Sequence, residues 1–195
     1  MYEKYNYNYF GGGVKQDIKH LGNYTMWNVL KYSIVHYSFS IIFLFRVLSA
    51  IKGKKKYAFL YFPLYAIYKI RCQFYGFTLP VGTIIDGGLY FAHYGSVVIS
   101  DKAVIGKNLI MMQNTTIGSN WTGSHPGCPT IGDNCVMCAN SVVVGGVNIG
   151  NNVFIGAGSV LSCDVPDNSL VVGNPARIIP NKGKAYTSNY LARVL

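Results

Sequence analysis

The chain has 195 residues and half of them are apolar, so it can bury a core of its own. Its net charge of +10 comes mostly from residues 1–79, which hold eleven Lys and Arg against two acids; residues 80–195 hold six against five. The basic residues are not interleaved with a nucleic-acid recognition motif, so we expect no nucleic-acid partner.

Residues 1–23 are the first predicted element, a flexible arm. They open with alternating Tyr and Asn and continue into three glycines. They lack the compact apolar stretch and the cleavage motif of a signal peptide, so we expect a cytoplasmic protein.

Residues 24–79 predict a basic and aromatic helical region. The uncharged run 32–45, between Lys31 and Arg46, is shorter than the ~18–20 residues of a membrane span. Four lysines follow within residues 52–56, and then a second aromatic run. Basic residues beside apolar helices suit an anionic membrane. The region therefore predicts either peripheral contact with the inner face of the membrane or helices that pack on the rest of the protein.

Residues 80–179 carry a six-residue repeat. Eleven of thirteen positions spaced by six are Val, Ile, Leu or Met, and glycine often follows them. This period fits neither an α-helix nor an alternating strand, and it predicts a solenoid of short parallel strands whose coil is a triangular prism. The thirteen positions are Val81, Gly87, His93, Ile99, Ile105, Met111, Ile117, Ile131, Met137, Val143, Ile149, Ile155 and Leu161.

Two features break this ladder. His93 stands where an aliphatic residue is expected, and an imidazole there costs free energy unless it is hydrogen-bonded or turned outward. The spacing from Ile117 to Ile131 equals one repeat plus an insertion, so we expect a loop at residues 119–130, which contains His125. Both histidines are therefore candidate functional residues.

Four motifs lie within the run from Gly82 to Ile179: His93-Tyr94-Gly95 with Val97-Val98-Ile99, Ser124-His125-Pro126, Ile155-Gly156-Ala157-Gly158-Ser159-Val160 and Val172-Gly173-Asn174-Pro175-Ala176-Arg177. With these motifs the run resembles the hexapeptide-repeat acyltransferases, which fold as left-handed β-helices, and within them the serine acetyltransferase branch. The resemblance implies a mainly β fold, a left-handed parallel β-helix behind an N-terminal α-helical region, and a homotrimer with active sites in grooves between prisms.

The resemblance also implies acetyl-coenzyme A as donor and a hydroxyl as acceptor, without a metal. His93 matches the general base, since a neutral imidazole can take the hydroxyl proton near pH 7. His125 of a facing subunit matches the group that helps hold the acceptor and the developing charge. Arg177 either meets the coenzyme phosphates or caps the last coil. Small residues match the positions beside the pantetheine arm: Gly118, Ala139, Gly156 and Ala157.

The match fails around the acceptor. The serine-specific enzymes carry an Asp before the first histidine and an Arg before the second, where this chain has Ala92 and Ser124. Each lost charge-assisted contact would cost a serine zwitterion about 1.5–3 kcal/mol. We therefore expect a carbohydrate acceptor, a sugar hydroxyl of a capsular or other surface polysaccharide or its precursor. Trp121 would stack on this sugar or else anchor the loop.

Three alternatives stay open, the first being a serine acetyltransferase with altered acceptor contacts and the second a non-catalytic trimeric scaffold. The third, a zinc β-helix enzyme of the carbonic anhydrase type, needs three histidines, and the repeats hold two. The cysteines at 128, 135 and 138 lie near His125, but Cys135 falls at a small inward position and is expected to fill the core.

Two expectations concern the ends of this domain. The carboxylate that orients the base in the family falls at Thr78 here, so that group is missing or displaced. Asp86 is the candidate for a displaced carboxylate and for a contact with the substrate. Residues 180–195 are polar and basic and predict a short helix or a loose tail.

Overall fold

A computed structural model describes residues 11–194 of the chain. Four helices precede a parallel β-helix, and a fifth follows it. This confirms the predicted fold class, a β-helix behind an N-terminal helical region. The helices are α1 (Gly11–Asp17), α2 (Met26–Val35), α3 (Tyr37–Ile51), α4 (Ala58–Tyr75) and α5 (Gly183–Val194).

Three sheets form the faces of the prism, and the chain visits them in a fixed order. The four-stranded face holds β2 (Ile84–Ile85), β5 (Val104–Ile105), β8 (Thr130–Ile131) and β11 (Asn148–Ile149). The six-stranded face holds β3 (Tyr90–Phe91), β6 (Ile110–Met111), β9 (Val136–Met137), β12 (Phe154–Ile155), β14 (Leu170–Val172) and β15 (Arg177–Ile179). The five-stranded face holds β1 (Phe77–Thr78), β4 (Val97–Ile99), β7 (Thr116–Gly118), β10 (Val142–Val144) and β13 (Val160–Leu161).

The prism is filled by stacked aliphatic side chains. Ile85, Ile105, Ile131 and Ile149 pair in register from one coil to the next, and all four are buried. Because the strands of successive coils pair in parallel and in register, residues of the same type stack on one another. This stacking is why the repeat is visible in the sequence.

The first coil departs from the predicted ladder. Phe91 pairs with Met111, and Ile99 pairs with Ile117. The step from Phe91 to Ile99 is therefore eight residues, whereas the equivalent step in the next coil, from Met111 to Ile117, is six. The inward residues of this coil include Ile85 and Phe91, which are 1% and 0% exposed, rather than Gly87 and His93. The count of six therefore fails at His93, which takes no inward position and lies in a turn lengthened by two residues.

Asparagines in the left-handed conformation close many of the other turns. Asn108, Asn134, Asn152 and Asn168 have φ between 55° and 60°. The first three follow strands of the four-stranded face, and Asn168 follows Val165, which forms an isolated bridge to Ile149 of that face. Each amide donates to the next along the prism, at 2.8, 3.4 and 3.1 Å. Asparagine tolerates this backbone region better than most residues, and the amides also satisfy one another.

The helical region is fastened to the first coil by a buried ion pair. Arg46 of α3 is 1% exposed, and its Nε donates to Asp17 Oδ2 at 2.9 Å. Asp17 Oδ1 accepts the backbone N–H groups of Gly88 and Leu89, at 2.8 and 2.9 Å. The Arg46 guanidinium also donates to the carbonyl oxygens of Ile85 and Asp86. Both charges are therefore fully hydrogen-bonded, as burial requires.

Residues 11–23 do not form the predicted flexible arm. Helix α1 covers Gly11–Asp17 and a 3-10 helix covers Ile18–His20, with Val14 and Ile18 buried against Val29 and Phe39. Packing of these apolar side chains, together with the Asp17 ion pair, offsets the low helix propensity of the glycines. Residues 1–10 of the predicted arm lie outside the described residues.

No single helix within residues 11–194 has both the length and the hydropathy of a membrane span; α2 and α3 meet the two criteria together, across a bend of 111°.

Candidate active site

His93 lies at the surface, in the lengthened turn between β3 and β4. The preceding residue that points inward is Phe91, and the two extra residues carry His93 and Tyr94 outward, where both are exposed. Within residues 11–194 no hydrogen bond holds the imidazole. The ring is therefore accessible to a substrate and to a neighbouring subunit.

The helical region holds this turn from two sides. The Tyr37 hydroxyl, at the start of α3, donates to the carbonyl oxygen of Ala92 at 2.7 Å. The backbone N–H groups of Gly95 and Val97 donate to the carbonyl oxygens of Tyr75 and Gly76, both at 3.0 Å, where α4 ends. Hydrogen bonds on both flanks thus fix the backbone that carries His93.

The start of α3 is itself well packed. The ring of Tyr37 stacks on His36 with centroids 5.0 Å apart and meets Tyr94 edge-on at 5.7 Å. Burial raises the pKa of Tyr37, with further contributions from Tyr90 and Tyr94. His36 caps α3 by accepting the Phe39 N–H on Nδ1, and burial lowers its pKa. Both groups therefore keep their neutral forms near pH 7, as their hydrogen bonds require.

His93 and three of the predicted coenzyme positions, Ala139, Gly156 and Ala157, share one edge of the prism. We call it the His93 edge: residues 92–96, 112–115, 138–141 and 156–159, which join the six-stranded face to the five-stranded face. Ala139 and Ala157 lie on it, and the N–H of Gly158 donates to the Ala139 carbonyl oxygen at 2.9 Å. The structure therefore provides a line of small residues running away from His93.

Gly156, Gly118 and Arg177 differ from these two alanines in their surroundings. Gly156 is buried, and a Cβ there would lie 3.1 Å from Val172 Cγ1, so packing within the chain explains this glycine. Gly118 ends β7, at the opposite side of the five-stranded face from the His93 edge. Arg177 is exposed at the start of β15.

One polar atom on the His93 edge has no partner within the described chain. The Oε1 atom of Gln113 is buried and accepts no hydrogen bond from residues 11–194. A Cβ on Gly95 would meet Gln113 Cβ at 3.6 Å, so this amide lies directly beside the His93 turn. Sequence reasoning missed Gln113, because a glutamine in a turn gives no signal of its own.

The loop that carries His125 leaves the prism at another edge, between β7 and β8. Its base is closed by paired hydrogen bonds between Asn120 and Gly127, at 2.9 and 2.6 Å. The carbonyl oxygen of His125 accepts the N–H of Gly146 at 2.9 Å, and a Cβ on Gly145 would lie 2.6 Å from that oxygen. The loop thus packs on a turn that has no side chains.

Trp121 lies at the outer part of this loop. Its ring is 65% exposed, and the Lys102 Nζ lies over it, 4.9 Å from the centroid. The ring face is therefore already covered on one side by a cation of its own chain.

The two histidines lie at different edges of one chain. The loop edge is the edge between the five-stranded and the four-stranded face, where β7 is followed by β8. In each coil the chain enters the five-stranded face across the His93 edge and leaves it across the loop edge, so these two edges border that face on opposite sides. A site that uses both imidazoles therefore needs two copies of the chain.

The predicted carboxylate lies elsewhere. Asp86 follows β2, at the edge before β3, and its Oδ1 accepts the N–H of Gly87 at 2.7 Å. That edge is separated from the His93 edge by the width of the six-stranded face, so within one chain Asp86 does not orient His93. Thr78, at the family's carboxylate position, is exposed on β1.

The cysteines lie mostly in the core. Cys135 is fully buried, and burial raises its pKa to about 12; Cys138 is also buried, with a pKa raised to about 11. High thiol pKa values disfavour the thiolate that a metal requires. Among residues 11–194, no three His, Cys, Asp or Glu side chains are grouped so that they could hold a metal ion.

Comparison with known proteins gives consistent matches. The family described as bacterial transferase hexapeptide (six repeats) matches residues 128–163. A serine acetyltransferase of Bacillus licheniformis is 34% identical over 158 residues, 80% of this chain and 68% of that protein. One from Synechococcus elongatus is 37% identical over 108 residues, but the match spans 55% of this chain and only 44% of that relative.

Solved structures show the same fold. The serine acetyltransferase of Neisseria gonorrhoeae, in complex with serine, has a TM-score of 0.66 and is 26% identical, over 85% of this chain and 67% of that one. A serine acetyltransferase in complex with CoA has a TM-score of 0.65 at 19% identity, which is a likeness of fold; the match covers 85% of this chain and 68% of that one.

These comparisons overturn one expectation. The predicted polysaccharide acceptor was argued from the missing charges at Ala92 and Ser124, but the relatives at 34–37% identity are serine acetyltransferases. The prediction was wrong because two absent contacts affect how tightly a zwitterion is held and do not decide which acceptor reacts. With 34% identity to a relative of which it covers more than two thirds, this chain belongs to the serine acetyltransferase family.

Proposed function

We propose that this chain transfers the acetyl group of acetyl-coenzyme A to the hydroxyl of serine. One observation carries the proposal: the two-residue lengthening of the first turn, which places the imidazole of His93 outside the prism, on a backbone held by Tyr37, Tyr75 and Gly76. Membership of the family supplies the donor and the acceptor.

In this reaction the neutral His93 imidazole takes the proton of the serine hydroxyl while the oxygen attacks the thioester carbonyl carbon. The tetrahedral intermediate then collapses, the carbon–sulfur bond breaks, and coenzyme A leaves as a thiolate. The imidazolium returns its proton to that sulfur, so the products are O-acetylserine and coenzyme A, and His93 is neutral again. The pantetheine arm would follow the His93 edge past Ala139 and Ala157, whose small side chains leave room for it.

The active form is proposed to be a trimer, with each site built by two chains. His93 and His125 border the five-stranded face on opposite sides, so a groove between neighbouring prisms can bring one of each together. Cyclic symmetry repeats such a groove three times.

Serine should bind weakly. Neither Ala92 nor Ser124 offers a charge to its ammonium or carboxylate, and each such contact is worth about 1.5–3 kcal/mol. We therefore expect a high KM for serine and an ordinary KM for acetyl-coenzyme A.

The test is acetyl transfer from labelled acetyl-coenzyme A to serine, with O-acetylserine identified by mass. Because general base catalysis contributes roughly 10²–10⁴-fold, His93→Ala should lower kcat by at least about 100-fold while the circular dichroism spectrum and the oligomer size stay unchanged. No transfer to serine by the unmodified chain would overturn the acceptor, and a near-normal rate in His93→Ala would overturn the base.

Subunit mixing tests the shared site. His93→Ala and His125→Ala chains, each inactive alone, should regain activity when unfolded together and refolded. Random assembly gives an intact pair of histidines at about one quarter of the grooves, which is the expected fraction of normal activity. Mixed oligomers that stay inactive would show that the two histidines do not share a site between chains.

A further inference from the structure

The helix α4 exposes an apolar face along its whole length. Its inner side is buried at Tyr68 and Cys72, against α3 and the first coil. Residues spaced by three, four and seven positions share the other side. That side carries no charged residue, and four of its side chains are 65–81% exposed. It comprises Phe59, Phe62, Pro63, Ala66, Ile67, Ile70, Gln73 and Phe74.

Helix α2 continues this surface. Met26, Trp27, Leu30 and Ile34 lie on one side of α2 and are 73%, 74%, 53% and 70% exposed. Arg71 of α4 donates to the Ile34 carbonyl oxygen at 3.5 Å and to the Ser40 hydroxyl at 2.7 Å, so α2 ends beside the C-terminal half of α4. We refer to these four side chains of α2, together with the side of α4 described above, as the apolar surface.

Within residues 18–85, the segment that carries the apolar surface, every charged residue is positive. Between residues 18 and 85 the sequence contains nine Lys and Arg and no Asp or Glu, and Arg46 alone of these pairs with an acid in the described structure. Lys54, Lys55 and Lys56 are exposed just before α4 begins, and Lys69 is exposed along it.

This charge pattern indicates which kind of partner binds the apolar surface. A second copy docked by the same surface would bring lysines against lysines, with no acid from residues 18–85 to pair with them, and like charges repel. An anionic bilayer supplies the opposite charge together with an apolar interior, and aromatic and aliphatic side chains flanked by lysines are the composition of helices that lie in its interface.

We propose that α2 and α4 bind the surface of an anionic phospholipid bilayer, with the side chains of the apolar surface in the acyl boundary and Lys54–Lys56 at the headgroups. The β-helix and its His93 edge would then stand at the membrane, on the side facing the aqueous phase. The proposal is independent of the acetyl acceptor and can fail or hold separately from the proposed function.

Co-sedimentation of the full chain with vesicles tests this inference. The chain should bind vesicles of phosphatidylglycerol and phosphatidylcholine, and bind pure phosphatidylcholine at least about tenfold more weakly. Binding should fall as salt is added, because exposed charges are screened. Equal binding to both vesicle types, or binding to neither, would overturn the proposal.

Two triple variants assign the binding to the surface. Phe62→Ser/Ile70→Ser/Phe74→Ser and Lys54→Gln/Lys55→Gln/Lys56→Gln should each lower the vesicle partition coefficient by about tenfold or more. Lys182→Gln/Lys184→Gln/Arg193→Gln removes the same charge from exposed positions around α5 and should leave binding unchanged. A smaller assembly in the first variant, measured by sedimentation without lipid, would show that a second copy covers the surface and would overturn the proposal.

Tryptophan fluorescence gives a local readout. The chain contains two tryptophans, Trp27 on the apolar surface and Trp121 on the loop. In a Trp121→Phe background the emission of Trp27 should shift to the blue when anionic vesicles are added, because the indole leaves water. In a Trp27→Phe background the emission of Trp121 should not move; a shift at Trp121 alone would place the loop, and not α2, at the lipid.

Discussion

The first turn of the His93 edge and its later counterparts are held by different contacts. In the second and third coils the turn spans six residues, and Asn114 and Asn140 adopt φ of 57° and 61° with an amide hydrogen bond of 3.1 Å between them. In the first coil the turn is two residues longer, and Tyr37, Tyr75 and Gly76 hold it from outside the repeat. The candidate catalytic residue therefore lies where the repeat is interrupted and the helical region takes over its support.

This difference predicts that breaking the attachment of the helical region has the largest effect. Asp17→Ala would leave the Arg46 guanidinium buried without a counterion, and the N–H groups of Gly88 and Leu89 without an acceptor. We expect a loss of about 3–5 kcal/mol in the free energy of unfolding, measured by urea titration with circular dichroism.

Lys19→Ala, an exposed change two residues away, is the control and should stay close to the unmodified chain. Since the pair acts as a unit, Asp17→Ala/Arg46→Met should cost less than the sum of the two single changes. Additive losses would mean that the ion pair does not fasten the two regions together.

A smaller effect is expected from the support of the turn itself. Tyr37→Phe removes the hydroxyl that donates to the Ala92 carbonyl oxygen and retains the ring that stacks on His36. A neutral hydrogen bond is worth about 0.5–1.5 kcal/mol, so we expect kcat to fall by about 3–10-fold. This prediction rests on the proposed function.

The expected signature is kinetic: kcat falls and KM for acetyl-coenzyme A changes little, while the melting temperature falls by no more than a few degrees, as the loss of one hydrogen bond predicts. Tyr186→Phe on α5, whose ring contacts Phe154, is the matched control and should keep full activity. A rise in KM with unchanged kcat would show that Tyr37 supports binding and not the placement of the base.

Sequence reasoning predicted the coil and the loop at residues 119–130, but not the two-residue lengthening of the first turn. Parallel pairing puts like residues above one another, so the aliphatic ladder from Ile99 to Leu161 is readable as a period. The length of the first turn is not readable, because continuing the count of six backward through His93 and Gly87 skips the true inward residues Phe91 and Ile85. A short extra segment in a turn leaves no mark on the period that follows it.

Other features required the three-dimensional structure for a different reason. The asparagines at 134 and 152 do carry a visible signal, since they are 18 residues apart, the length of one coil, but their meaning depends on φ. Asn108 and Asn134 are 26 residues apart, because the loop at residues 119–130 lies between them. The Arg46–Asp17 pair joins residues 29 positions apart across an unrepeated region, and only packing brings them together. The acceptor was mispredicted for a related reason, because two missing charges were read without the rest of the pocket.

The smallest predicted effect concerns pH at the start of α3. Burial lowers the pKa of His36 from its ordinary value of 6.5, so the unfolded chain binds a proton in a pH range where the folded chain does not. Stability that depends on neutral His36 is therefore present above pH 6.5 and is lost as the pH falls below it. Protonation of Nδ1 would also remove the acceptor that caps Phe39.

His36→Asn should flatten this dependence, because an asparagine caps a helix without titrating. The measurement is the difference in melting temperature between the unmodified chain and the variant, followed from about pH 8 to pH 5, where the other histidines titrate alike in both and cancel. The variant should gain relative stability as the pH falls. A difference that is constant over this pH range would show that folding does not change the pKa of His36. The start of α3, which supports the His93 turn, would then not be sensitive to pH through this residue.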